Sequence, residues 1–163
     1  MIRVRSVLLA LALAALVAGF QLQPVAAAET EVDGVFRFAT RQLNKPFRLG
    51  ADGLRRYDCS GLVYRTFKEN GLTVLIGGDR RAHGYYKWFK ARDRVTRNPR
   101  KGDLVVWAWR GHRVSHIGIF KGYNRLGKPI AISALVNPWG VTTHKVHSIK
   151  IPLKAYLRVR LDR

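Results

Sequence analysis

The sequence predicts an α+β fold in which N-terminal helices pack on an antiparallel sheet of about five strands. Apolar residues recur at helical spacing as far as residue 70. After "RNPRKGD", residues 97–103, the pattern changes to short apolar or alternating segments bounded by turn residues. Helices that come before a run of strands, rather than between strands, are typical of α+β proteins.

Residues 1–28 have the three-part layout of a secretory signal peptide, and we exclude them from the fold prediction. Two arginines precede an apolar run from Val7 to Phe20, and the segment closes with three small residues, Ala26 to Ala28. The run is short for a membrane anchor, which needs about 20 apolar residues. We therefore expect cleavage after Ala28 and a secreted or periplasmic protein without a transmembrane segment. Its residues 29–163 are expected to form one domain.

The charge of the chain predicts a polyanionic partner. The full sequence has a net charge of +20, and removal of the two arginines in the signal peptide leaves +18. We expect binding to anionic envelope polymers, and a merely solubilising surface is the alternative. Binding to nucleic acid is disfavoured, because export from the cell removes most roles that involve nucleic acid. The aromatic and basic stretch "GYYKWFKARDR" is explained more simply by an amphipathic helix.

Three helices are predicted before the change of pattern. The first covers residues 31–43, and the loop "NKPFRLGADG" follows it. The second covers residues 58–70, and the third lies within residues 80–93 with Asp79 as its cap. The apolar faces of the first two helices are Val32, Val35, Phe36, Ala39 and Leu43, and Cys59, Leu62, Val63 and Phe67.

Five strands are predicted after the change of pattern. They are residues 104–109, a strand that begins at His116, and residues 129–136, 140–146 and 155–161. The segments "YNRLG" and "NPWG" have the composition of hairpin turns. We therefore expect the strands to form an antiparallel meander.

Cys59 is the only cysteine in the chain, so it cannot close an internal disulfide. With Asp58 as helix N-cap, Cys59 lies in the first turn, where backbone N–H groups and the helix dipole favour a thiolate. This predicts a lowered pKa and a nucleophile, provided that the Asp58 carboxylate turns away to accept N–H bonds. Ser60 and Gly61 leave room for a substrate carbonyl. The alternative is that Cys59 is a small buried apolar residue.

A nucleophilic thiol needs a base, and the chain has five histidines. His83 lies in a basic aromatic helix and His112 in a loop rich in glycine and arginine, so both are interpreted as surface residues. His116 opens the apolar strand "HIGIFKG" directly after a polar turn. It is the predicted base, and a half-exposed histidine at a strand end is the alternative.

Three motifs in order, "YDCSGLVYRTF", "KGDLVVW" and "SHIGIFKG", resemble the NlpC family of papain-like cell-wall cysteine endopeptidases. The resemblance implies a half-papain-like fold and cleavage of amide bonds in peptidoglycan stem peptides, often between D-glutamate and the diamino acid. It assigns Cys59 as nucleophile and His116 as general base. It implies no metal or other cofactor. We expect the protein to act as a monomer.

The resemblance fails at the third catalytic position, which in this family is often a histidine on the strand after the base. The corresponding residue here is Ser133. Turn positions suggest that Ser133 faces His116 on one side and His144 on the other, about 9.6 Å apart across two strands. We therefore predict that Ser133 orients His116 and that His144 supports it through Ser133 or a water, and a solvent-facing strand residue is the alternative for His144. Asn137 is a weaker candidate.

A second departure is Phe47, at a position where the family often has a tyrosine that helps bind the oxyanion. Phe47 has no hydroxyl, so either Tyr57 or a backbone group donates instead, or catalysis is weaker. Asp58 and Ser60 complete the predicted substrate-side residues. These departures leave a second hypothesis open, a weakly active or inactive cationic module that binds the envelope.

Overall fold

The structure is a computed structural model that describes residues 29–78 and 81–163. The predicted signal peptide, its cleavage site after Ala28 and the predicted helix cap Asp79 lie outside the described residues. Within the described ranges, no helix has the length and apolar character that crossing a membrane requires.

Within residues 29–78 and 81–163, three α-helices form where the sequence predicts them. They are α1 (Glu31–Arg41), α2 (Cys59–Glu69) and α3 (Ala82–Lys90), with a short 3₁₀ turn at Thr73–Leu75 between the last two. Thr30 caps α1, because its hydroxyl accepts the backbone N–H of Asp33 at 3.2 Å. The predicted faces of α1 and α2 are largely buried in one core with the sheet. Their amphipathic pattern therefore fixes which side of each helix meets the sheet.

A six-stranded antiparallel sheet forms the second layer of the fold. Its strands are β3 (Val95–Thr96), β4 (Leu104–Trp107), β5 (His116–Tyr123), β6 (Pro129–Leu135), β7 (Gly140–Lys145) and β8 (Leu153–Leu157). The spatial order is β3-β8-β4-β5-β6-β7. A separate two-stranded ribbon, β1 (Asp52–Gly53) and β2 (Arg56–Tyr57), precedes α2. The helices and the sheet make an α+β domain, as the sequence predicts.

The prediction of a five-stranded meander is wrong in two respects. Strands β4 to β7 do form a meander, but β8 returns across the sheet and lies between β3 and β4. Strand β3 has only two residues, which is too short to show any period in the sequence. The buried carboxylate of Asp103 holds the chain directly after β8 in place. It accepts hydrogen bonds from Arg158 Nε at 2.9 Å and from Val159 N at 3.0 Å.

Both faces of the sheet are covered. The larger core lies between the helices and one face, where Ile117 and Ile119 of β5 meet α2. A smaller core covers the other face, and its buried members are Val105, Trp107, Phe120, Ala131, Val146 and Tyr156. Because side chains alternate along β5, His116 lies on the same face as Phe120 and the smaller core.

Gly61 lets the first turn of α2 approach the preceding loop. A Cβ at this position would lie 2.1 Å from the carbonyl oxygen of Ala51, which is backbone and cannot move aside. We expect Gly61→Ala to lower the free energy of unfolding by about 3 kcal/mol or more, although alanine is the better helix former. Denaturant unfolding measures this, with Gly53→Ala as control because nothing lies within 4 Å of a Cβ there. Equal stability of the two variants would contradict the close contact.

Candidate active site

Asp58 fixes the start of α2 with three hydrogen bonds. Its Oδ1 accepts the backbone N–H of Gly61 at 2.6 Å and the Ser60 hydroxyl at 2.9 Å. Its Oδ2 accepts the backbone N–H of Gly50 at 2.7 Å, which ties the preceding loop to the helix. The predicted cap therefore forms, and the carboxylate is turned to backbone donors. Asp58 and Ser60 border the cleft, but their polar atoms hold the helix start.

The Cys59 thiol lies beside β5, where the backbone N–H of Ile117 interacts with it. Burial, and to a smaller extent the Asp58 charge, raise the pKa of this thiol to about 11, although the N–H groups of Ile117, Ser60 and Cys59 itself lower it. The prediction of a lowered pKa is therefore wrong. Loss of hydration penalises the thiolate more than the helix N-terminus stabilises it.

The raised pKa predicts how the thiol reacts with an alkylating reagent. A thiol whose pKa moves from 9.0 to about 11 is more weakly ionised at every pH below that value. We expect slow reaction of Cys59 with iodoacetamide at pH 7 and a rate that rises about tenfold per pH unit up to pH 9. Cysteine in a short peptide, measured under the same conditions, is the control. A fast rate that is constant between pH 5 and 8 would show a preformed thiolate instead.

His116 is buried at the first position of β5 and packs against Trp107, with ring centroids 5.0 Å apart. Burial, and secondly the charge of His144, lower the pKa of His116 to about 3. The imidazole is therefore neutral near pH 7 and has a lone pair that can accept a proton.

Three side chains on neighbouring strands form a continuous polar row, which we call the relay: His116, Ser133 and His144. Nε2 of His116 lies 3.0 Å from the Ser133 hydroxyl oxygen. The same oxygen lies 2.8 Å from Nε2 of His144. The structure thus brings together the three residues that the sequence analysis placed beside one another.

Hydrogen-bond partners assign the protons along the relay. The carbonyl oxygen of Lys145 only accepts, so Nδ1 of His144 donates in the 3.0 Å bond between them. Burial lowers the pKa of His144 and keeps it neutral, so its Nε2 is bare and accepts the Ser133 hydroxyl. The Ser133 oxygen then accepts Nε2–H of His116. This leaves Nδ1 of His116 without a proton, in the tautomer that a base requires.

The strand register differs from the predicted one by two residues. Ser133 pairs with Thr142, and His144 pairs with Ala131. A shift of two keeps every side chain on its predicted face, so Ser133 and His144 still meet diagonally. Gly118 leaves room for the diagonal contact between Ser133 and His116. A Cβ at Gly118 would lie 2.9 Å from the Cβ of Ser133.

His116 and His144 of the relay border a cleft of about 1240 Å³ together with Cys59, whereas Ser133 is buried behind it. One wall is apolar, and its residues include the exposed Leu49, Val136 and Trp139 and the partly buried Phe47. Asn137 holds Phe47 in this wall, because its Oδ1 accepts the backbone N–H of Phe47 at 3.1 Å. Asn137 is thereby engaged away from the relay.

Tyr57 does not reach the cleft. Its side chain is fully buried, and its hydroxyl donates to Oε1 of Gln42 at 3.1 Å. The prediction that Tyr57 replaces the missing tyrosine hydroxyl at Phe47 is therefore wrong. Of the two predicted substitutes, the backbone group remains, and Cys59 N–H at the start of α2 is the candidate donor.

Sequence reasoning missed two residues of the site. The sequence pattern predicts a surface position for His83, yet this residue borders the cleft and its Nδ1 accepts the backbone N–H of Val114 at 3.4 Å. Trp107 supports both relay histidines, with its ring centroid 5.8 Å from that of His144, and its Nε1 donates to Val146 O at 2.9 Å. The pairing of Trp107 with His116 could have been found by aligning the two predicted strands. Among the described residues, no group of three or more His, Cys, Asp or Glu side chains is placed to hold a metal ion.

Sequence comparison identifies the family of this chain. The profile described as the NlpC/P60 family matches residues 44–149. The chain belongs to the NlpC/P60 family. A curated relative, the murein DD-endopeptidase MepH of Escherichia coli (strain K12), is 32% identical over 103 residues. The match covers 58% of this chain and 37% of MepH, so the chain spans well under half of that relative.

Solved structures of NlpC/P60 proteins have the same fold. NlpC1 from Trichomonas vaginalis superimposes with a TM-score of 0.65 at 18% identity, over 89% of this chain and 49% of NlpC1. The peptidoglycan hydrolase RipB from Mycobacterium tuberculosis superimposes with a TM-score of 0.58 at 23% identity, over 78% of this chain and 64% of RipB. These likenesses confirm the predicted fold class, and the profile match confirms the predicted family.

Proposed function

We propose that this chain is a cysteine peptidase that cleaves amide bonds in the stem peptides of peptidoglycan. The observation that carries the proposal is that Cys59, His116 and His144 border one open cleft, with buried Ser133 joining the two histidines. The relatives named as a murein endopeptidase and a peptidoglycan hydrolase support the choice of substrate. The charge of +18 after signal removal supports retention on anionic wall polymers.

The reaction begins with a neutral thiol and a neutral imidazole. As Cys59 Sγ attacks the amide carbonyl, its proton passes to Nδ1 of His116, and the carbonyl oxygen gains negative charge. The backbone N–H of Cys59 donates to that oxygen. His116 then protonates the leaving amine as the C–N bond breaks, and a thioester remains. Water attacks the thioester with His116 as base, which releases the acid and restores the thiol.

In this scheme the relay works through His116 rather than on the substrate. When His116 gains the proton it becomes an imidazolium, and its Nε2–H still donates to Ser133. The Ser133 hydroxyl donates a hydrogen bond to Nε2 of His144. Each partner is therefore already aligned when positive charge develops on His116. Neither partner carries a formal negative charge. We therefore regard Ser133 and His144 as positioning residues.

Two bonds are candidates for cleavage. The motifs that resemble the family favour the bond between D-glutamate and the diamino acid. The relative named as a DD-endopeptidase makes a DD bond of the cross-link the second candidate. Mass analysis of fragments released from defined stem peptides and cross-linked dimers separates the two, with the Cys59→Ala variant as control. Fragments that appear equally with the variant would refute enzymatic cleavage by this site.

We also propose that residues 1–28 direct export and are removed. The intact mass of the protein recovered from the cell envelope or the medium tests this. A mass that still includes residues 1–28 would contradict it.

A cationic module that binds the envelope without cleaving it is the second candidate. Phe47, which has no hydroxyl, and the raised pKa of Cys59 favour it. Co-sedimentation with purified wall material combined with an absence of released fragments would support this alternative and reject the peptidase.

A further inference from the structure

A second, smaller pocket opens from the cleft near the start of α3. Its volume is about 150 Å³, and its lining residues are Arg81, His83, Gly84, Lys87 and Arg113. Three of these, Arg81, His83 and Arg113, also border the cleft. We call it the basic pocket. Because the two share these residues, the basic pocket lies directly beside the cleft.

Positive charge converges on this pocket. Burial lowers the pKa of His83, and Arg113, Lys87 and Arg81 each lower it further, so all three cations act on the imidazole. Among the described residues, none that lines the pocket is acidic. Within the same residues, neither Lys87 nor Arg113 forms an ion pair with an acid. Like charges held this close repel one another, and a bound anion would relieve that repulsion.

The hydrogen bonds of His83 add a donor to the pocket. Its Nδ1 accepts the backbone N–H of Val114 at 3.4 Å, so in the neutral ring Nε2 carries the proton. A guanidinium offers paired N–H donors and an ammonium offers a point charge, both suited to the oxygens of an anion. The pocket therefore combines an imidazole donor with three cations at one end of the cleft.

We propose that the basic pocket binds a carboxylate of the peptide whose amide bond lies at Cys59. The proposal rests on the proposed function, because a stem peptide carries free carboxylates next to its cleavable amides. It gives the charged residues around His83 a role in choosing between peptides whose carboxylate is ionised and peptides in which it is amidated.

Binding to the Cys59→Ala variant of the whole chain tests the pocket apart from catalysis. The probes are a stem tripeptide that ends in diaminopimelate and the same tripeptide with its carboxylates amidated. We expect the carboxylate form to bind about three- to tenfold more tightly. We also expect it to raise the pKa of His83, followed by NMR of the ring protons, because a bound anion favours the imidazolium. Equal binding of both peptides with an unchanged His83 titration would overturn the proposal.

Kinetics of the enzyme with its thiol intact provide the second readout. We expect Lys87→Gln and Arg113→Gln to raise KM for the carboxylate peptide about three- to tenfold and to leave KM for the amidated peptide unchanged. Lys90→Gln is the matched control, because Lys90 is exposed on the same helix and does not line the pocket. An equal effect of Lys90→Gln would show that only overall charge matters and would reject the site.

The outcomes separate this proposal from the proposed function. Hydrolysis without preference for the carboxylate peptide rejects the pocket and keeps the peptidase. Carboxylate-dependent binding at His83 without hydrolysis keeps the pocket and rejects the peptidase. A larger response of His83 to inorganic phosphate or to poly(glycerol phosphate) than to the carboxylate peptide assigns the pocket to a phosphate group and rejects the peptide carboxylate.

Discussion

Replacement of Cys59 by alanine is expected to lower the rate of peptidoglycan hydrolysis by about 10⁴- to 10⁶-fold. The sulfur is the only protein atom that bonds to the substrate carbon in the proposed reaction, and removal of a nucleophile in other enzymes has an effect of this size. His116 cannot compensate, because its Nδ1 would then have only water to activate. Release of soluble fragments from purified wall material measures the loss.

The controls for this variant separate chemistry from folding. Asp58 makes its cap bonds to Gly61 N, Ser60 Oγ and Gly50 N, none of which involves the Cys59 side chain. We therefore expect Cys59→Ala to unfold within a few degrees of the parent. Ser115→Ala is the matched control, since Ser115 borders the cleft beside His116 but lies outside the relay. Full activity of Cys59→Ala, or equal loss in Ser115→Ala, would end the proposal of a thiol nucleophile.

The elements that the sequence predicts well are those with local causes. Asp58 caps α2 because a short carboxylate next to a helix start reaches the free N–H groups whatever the rest of the fold does. The buried faces of α1 and α2 follow from apolar spacing alone. The placement of Cys59 at a helix start and of His116 at a strand start could be predicted for the same reason.

The features that the sequence does not reveal depend on contacts between distant segments. The pKa of Cys59 is decided by how much of the fold covers the thiol, and burial outweighs the helix N-terminus that the sequence shows. Tyr57 turns inward because Gln42, which lies in a different element, offers a buried acceptor. Strand β8 returns beside β4 through the buried carboxylate of Asp103, for which alternation along the chain gives no signal.

The relay shows how an incorrect register can still lead to the correct neighbours. The turn positions predict that Ser133 pairs with His144, whereas it pairs with Thr142, two residues away. The side-chain period of a strand is also two, so the shift leaves each side chain on its predicted face. The face was therefore predictable, whereas the diagonal geometry depends on Gly118 having no side chain. The proton assignment along the relay depends on the Lys145 carbonyl, which no sequence pattern identifies.

The second large effect is expected for Ser133→Ala, which we predict to lower kcat about 10²- to 10³-fold with little change in KM. The variant removes both hydrogen bonds of the relay, at 3.0 Å to His116 and 2.8 Å to His144. Nε2 of His116 then has no acceptor, so the tautomer with the proton on Nδ1, which cannot act as a base, gains population. Loss of the correct histidine tautomer is costly in other catalytic triads by up to about 10⁴-fold, and a neutral relay should contribute less.

A matched pair at His144 tests whether the relay works through its acceptor atom. In His144→Gln the side-chain oxygen can still accept the Ser133 hydroxyl, whereas His144→Phe keeps a ring beside Trp107 but offers no acceptor. We expect about a tenfold larger loss of kcat for the phenylalanine variant than for glutamine. We also expect Ser133→Ala combined with His144→Phe to be no worse than Ser133→Ala alone, since both break one row.

Nitrogen NMR of His116 distinguishes an effect on the base from general damage to the fold. In the parent, the relay assigns the ring proton to Nε2, so the Nδ1 resonance should have the shift of an unprotonated nitrogen at neutral pH. Ser133→Ala and His144→Phe should move population toward the Nδ1–H form in proportion to their loss of kcat, and His144→Gln should move it least. If the activities fall while the His116 resonances stay as in the parent, Ser133 acts through the shape of the cleft. The relay would then have no part in preparing the base.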